Sequence, residues 1–137
     1  MRFEFDLVYP RERPVIRVNG IETLIDSGAD ISLSILPKDY FARYYNVVGE
    51  RRREDAKTVN GTIAGTIIVL EKFEVGELTV FGMPILLPDG KTNIKTPFAL
   101  GADFFYNCAL DYGVLNSSQK FYIDVPDDEM VKKYVLK

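Results

Sequence analysis

The sequence predicts an all-β or mostly β domain with one or two short helices, and three observations carry that expectation. Val, Ile and Thr recur along the chain with eight Tyr, nine Phe and no Trp, residue types that fit a pleated, half-buried surface. Several segments alternate apolar and polar residues with a period of two. Turn signals, Asn19-Gly20 and Asn60-Gly61 among them, separate these segments. At 137 residues the chain suffices for one hydrophobic core and is short for two, so residues 1–125 read as a single domain and 126–137 as a tail.

Taken in order, Phe3, Phe5 and Leu7 alternate with Glu4 and Asp6 as a half-buried strand does, and a polar turn over 10–14 ends it. Residues 14–18 and 21–25 read as a hairpin closed by a type I′ turn at Asn19-Gly20. Ile31, Leu33 and Ile35 alternate with Ser32 and Ser34 in a further strand. Pro37 then suits the start of a helix, because Tyr40, Phe41, Tyr44 and Tyr45 recur at helical spacing and form an aromatic stripe for the core. Arg51-Arg52-Arg53, flanked by Glu50, Glu54 and Asp55, reads as a solvated loop.

Residues 57–70 combine β-branched residues with Asn60-Gly61 and Gly65, the pattern of a glycine-tipped hairpin. Strands follow at 72–75 and 78–87, interrupted at Gly82 and Pro84, and 88–96 is polar and loop-like. The apolar run 97–100 stops at Gly101 before a short helical piece. A last strand pair is expected at 108–112 and 120–125, joined by a turn region at 113–118. Asp127, Asp128 and Glu129 suit the start of a terminal helix over 130–136, though the same tail is compatible with disorder or with a role toward a partner.

Composition narrows the chemistry. The net charge of −3 gives no ground for a nucleic-acid partner. No apolar stretch approaches the roughly 20 residues a membrane span needs, and the first residues lack the apolar centre of a signal peptide. With one cysteine, Cys108, no internal disulfide forms, and a cytoplasmic location is expected. The absence of histidine excludes histidine-based triads and histidine metal sites. Carboxylates and hydroxyls are left as the catalytic groups, with no metal or cofactor called for.

Leu24-Ile25-Asp26-Ser27-Gly28-Ala29 is the segment that asks for a chemical explanation. A carboxylate directly after two aliphatic residues of a strand needs partners or a proton. Ser27 supplies a hydroxyl, while Gly28 and Ala29 let main chain pass close to a bound group. An ordinary Asp-Ser-Gly turn is the competing reading, and the tetrapeptide alone would favour it.

The succession of a hairpin, Leu24-Ile25-Asp26-Ser27-Gly28-Ala29-Asp30, a strand, a glycine-tipped hairpin, Ala99-Leu100-Gly101-Ala102-Asp103-Phe104-Phe105 and final strands resembles the retropepsin-like aspartic proteases over most of residues 14–125. The helix inserted after the active-site strand is similar to cellular and bacterial members. That resemblance implies a closed acid-protease β-barrel and a homodimer, since the chain carries one Asp-Ser-Gly and the chemistry needs two facing carboxylates.

It further implies Asp26 as the catalytic residue, Ser27, Gly28 and Ala29 as its loop, and Gly28 and Asp30 as contacts to an extended peptide substrate. Asn60, Gly61 and Thr62 fall in the covering flap. Ala102 departs from the pattern, standing where many viral members have an arginine that pairs with the acid at the Asp30 position. The glycine pattern of the flap departs too. Beside the endopeptidase stands a second expectation, a catalytically silent dimerisation or peptide-binding module on the same fold.

Overall fold

The computed structural model describes residues 1–10, 12–126 and, for the backbone alone, 131–133. Its elements run β1 (Arg2–Asp6), β2 (Val15–Val18), β3 (Ile21–Ile25), β4 (Leu33–Ser34), α1 (Lys38–Tyr44), β5 (Val47–Thr58), β6 (Gly61–Val75), β7 (Leu78–Pro88), β8 (Phe98–Leu100), α2 (Ala102–Cys108), β9 (Asp111–Leu115), β10 (Lys120–Asp124) and β11 (Val131–Lys133). Among the described residues the fold is mostly β with two short helices, the β-rich class that the composition implies. No helix among the described residues is long and apolar enough to cross a membrane.

Two sheets form, one ordered β1-β10-β9 and the other β2-β3-β8-β4-β7-β6-β5, with β11 running parallel to β7. Both are open paths of hydrogen-bonded neighbours. The β2–β3 hairpin closes as its sequence demands: Val18 pairs with Ile21, and both Asn19 and Gly20 have positive φ, the requirement of a type I′ turn.

The core explains why the central strands are apolar without interruption. Ile25, Ile68, Ile85, Phe98 and Leu100 belong to the main cluster, together with Phe41, Phe73, Phe104 and Phe121. Their chain neighbours Leu24, Ile67, Leu86 and Ala99 belong to a second cluster with Ala29, Ile31 and Leu33. Successive residues of a strand point to opposite faces, so these strands are covered on both sides, and the second cluster lies directly beneath the Asp26 loop. Each fully buried Phe or Leu contributes roughly 1.5–3 kcal/mol of burial, which anchors the loop from below.

Several local expectations are corrected. Arg51-Arg52-Arg53 lies within the twelve-residue strand β5, not in a loop; pairing with β6 outweighs the polar composition, and the charges sit on a largely exposed ribbon. Residues 61–75 form one strand, and β7 continues through Gly82 and Pro84. Only Leu33 and Ser34 of the segment 31–35 pair as a strand, and Ile35 is exposed. Cys108 ends α2 and the next strand begins at Asp111, extending to Leu115 into the expected turn. Of the aromatic stripe, Phe41 is buried while Tyr44 is exposed. From the expected terminal helix, residues 131–133 are strand β11, and residues 130 and 134–136 lie outside the described residues.

Candidate active site

Asp26 follows the last residue of β3, which lies parallel to β8 with Ile25 opposite Leu100. Its N–H donates to the Leu100 carbonyl at 2.9 Å, and its own carbonyl accepts from Ala29 N–H at 3.1 Å, closing a tight turn. The side chain is partly buried and lines a cavity of about 210 Å³ shared with Arg13, Thr58, Val59, Asn60, Ile63 and the segment 91–94. Among the described residues of that lining Asp26 is the one carboxylate. Ser27 and Gly28 are exposed and Ala29 is buried.

The β5–β6 hairpin forms the roof. Thr58 pairs with Gly61, so the turn is centred on Val59 and Asn60, one residue earlier than Asn60-Gly61 suggests. Thr58 sets this register, its hydroxyl accepting from Asn60 N–H at 3.2 Å and donating to the Gly61 carbonyl at 2.9 Å. Val59 rests on the Asp26 loop: a Cβ built on Gly28 would lie 2.3 Å from Val59 Cγ1, so any larger residue at position 28 would displace Val59 from this approach. Asn60 lines the cavity as expected, whereas Gly61 and Thr62 are exposed beyond it.

Asp30 is tied to the same hairpin. Its N–H donates to the Lys57 carbonyl at 3.0 Å, Oδ1 accepts from Lys57 N–H at 3.1 Å, and Oδ2 pairs with the Arg53 guanidinium. A register shift between Arg53 and Ala56 interrupts the β5–β6 ladder here, and such a bulge re-aims the side chains beside it. Ala102 brings no cation to Asp30, and Arg53 of β5 does so instead.

The floor is a buried polar knot. Ser32 Oγ accepts from Gly101 N–H at 3.0 Å and donates to Asp103 Oδ1 at 3.0 Å, while Ser32 N–H donates to the same oxygen at 2.8 Å. Gly101 packs so closely that a Cβ there would lie 2.5 Å from the Ile31 carbonyl carbon. Asp103 Oδ2 is buried with no hydrogen-bond partner among the described residues. Burial pushes the Asp103 carboxyl up to about 6 against the opposing pull of the Ser32 hydrogen bonds.

Of the sequence-predicted residues the cavity brings together Asp26 and Asn60, while Ser27, Gly28, Ala29, Asp30, Gly61 and Thr62 lie outside its lining; Arg13, Arg53, Ser32 and the segment 91–94 were not among the expected site residues. A serine between the apolar Ile31 and Leu33 was the available signal for a buried hydroxyl that needs partners. Ile94 within an otherwise polar loop was the signal for a wall. A larger groove of about 730 Å³ adjoins through Lys91, Thr92 and Ile94, but the one carboxylate among its described lining residues, Asp89, is held by Arg52 at 2.7 Å, so Asp26 remains the chemical focus. Among the described residues no three Asp, Glu or Cys side chains converge as metal ligands. Compared with known protein families, with curated proteins and with solved structures, the chain gives no match.

Proposed function

We propose that the chain is an aspartic endopeptidase of retropepsin-like fold that works as a homodimer, with one Asp26 from each protomer forming the catalytic dyad. The observation that carries this reading is the setting of Asp26: a lone carboxylate at the ends of two parallel strands, in a cavity roofed by a long hairpin whose tip touches Gly28. An ordinary surface turn requires neither a roof nor an anchored floor.

Two carboxyl groups brought together at a two-fold axis share one proton, because like charges about 3 Å apart resist ionising together; such dyads are a worked case of carboxylate tuning. The ionised member takes a proton from water, whose oxygen attacks the peptide carbonyl carbon while the protonated member gives its proton to the carbonyl oxygen. The resulting diol collapses, the C–N bond breaks, and the amine leaves with a proton returned from the dyad. Peptide adds as an extended strand beneath the hairpin, which excludes water on closing.

The deciding experiment compares the intact chain with Asp26→Asn in cleavage of a diverse peptide mixture from acidic to neutral pH, with both sized in solution. The expected result is cleavage by the intact chain, none by the variant, and a dimer in each. A folded dimer that binds peptides and cleaves none would make the chain a peptide-binding module. A strict monomer would remove the dyad.

A further inference from the structure

The Asp26 cavity has a partly apolar lining and carries two cations beside the Asp26 carboxylate. Val59, Ile63 and Ile94 contribute the apolar lining, and Arg13 and Lys91 stand at its edge as exposed side chains. Arg13 continues, with Lys95, into a neighbouring hollow of about 450 Å³ lined also by Tyr9, Glu12 and Leu24. None of these three cations has an ion-pair partner among the described residues. Arg2, Lys38, Arg52, Arg53, Lys72 and Lys120 are each paired with a carboxylate. Glu12 faces only the outer hollow.

Set against Asp26 and Glu12, the three cations leave an excess of one positive charge over the two hollows, opposite in sign to the net charge of −3. An excess of one sign of charge around a cleft concentrates ligands of the opposite sign, and unpaired cations around a partly apolar recess complement a side-chain pattern rather than a single ion.

We propose that this site selects extended peptides with apolar residues at its centre and acidic residues flanking them, the acidic side chains being read by Arg13, Lys91 and Lys95. The proposal rests on Asp26 marking the peptide groove. In a homodimer the two-fold axis would repeat the cationic rim, so acidic residues would be favoured on both sides of an apolar centre.

The test separates recognition from cleavage. Full chain carrying Asp26→Asn is titrated, by fluorescence anisotropy, with labelled peptides that share an apolar centre and differ in having Glu, Gln or Lys on its flanks. The Glu peptide is expected to bind about tenfold more tightly than the Lys peptide at low salt, with the gap closing as salt screens the rim. Reversal of charge in Arg13→Glu with Lys91→Glu, both at exposed positions, is expected to invert the ranking while the melting transition persists. Equal affinities, a Lys preference, a ranking unaffected by the reversals, or no peptide binding would overturn the proposal. Correct ranking without cleavage by the wild-type chain would uphold the specificity and remove the endopeptidase; cleavage without ranking would do the opposite.

Discussion

Two carboxylates flank the Asp26 loop, and the chain treats them in opposite ways. Asp103 is enclosed beneath the loop, held by Ser32 alone among side chains and left with one oxygen unpartnered among the described residues. Asp30, only two positions before Ser32, lies at the rim and is compensated by a full cation, Arg53, and by the Lys57 amide. The floor is therefore fixed by close packing and a buried hydroxyl, and the rim by a partly solvated ion pair. Fixing the first protects the position of Asp26, while the second links that position to the hairpin above it.

The comparison would be broken most forcefully at Gly101. Its α-carbon lies where no side chain fits, 2.5 Å from the Ile31 carbonyl carbon for a built Cβ, so Gly101→Ala must displace either α2 or the Asp26 loop. A loss of roughly 3 kcal/mol is expected from such overpacking, read from urea unfolding. A change under about 1 kcal/mol would mean that the floor yields easily and does not set the Asp26 geometry.

Asp103 sharpens the contrast through pH. Its carboxyl is raised from 3.8 to about 6 in the fold, so the folded state binds its proton more tightly than the unfolded state does. Its stabilising contribution is complete below about 3.8 and is lost as pH rises through about 6, an effect on the order of 2–3 kcal/mol. Asp6, Asp89 and Asp124 are lowered instead, by hydrogen bonds from Lys120, Arg52 and Arg2. Their stabilisation is present above 3.8 and lost as pH falls below it, outside the Asp103 window. Asp103→Asn, which keeps an oxygen for Ser32, is expected to flatten the decline in stability between about pH 4 and 6. A decline of unchanged slope would assign it to other groups.

What the sequence made legible follows the same division. Strand periodicity and the Asn19-Gly20 turn are local properties, and they located the hairpin that delivers Asp26. Asp26 itself stood out because charge after Leu24-Ile25 conflicts with its neighbours. The partners of Asp30 and Asp103 were not legible, since Arg53 and Ser32 meet them across separations of 23 and 71 residues, where no period or turn rule reaches. Arg51-Arg52-Arg53 misled for a related reason: an exposed two-stranded ribbon carries charge on most of its surface, so composition alone cannot separate it from a loop.

The rim offers the smallest stability effect and the most specific functional one. Arg53 and Asp30 side chains are 29% and 35% exposed, and a pair this solvated contributes about 1 kcal/mol or less to folding. Arg53→Gln is accordingly expected to unfold almost as the parent does. Peptide affinity, measured in the Asp26→Asn background, is expected to fall about tenfold, because the Asp30 segment keeps its Lys57 hydrogen bonds to β5 but loses the ion pair that sharpens the binding geometry. Arg53→Lys keeps the charge without the planar fork and should recover part of the loss. Should Arg53→Gln instead lose stability on the scale of Gly101→Ala, the rim would belong to the same packed unit as the floor. Unchanged affinity in a stable variant would show that the Lys57 hydrogen bonds to Asp30 and the approach of Val59 to Gly28 suffice to hold the hairpin on the Asp26 loop.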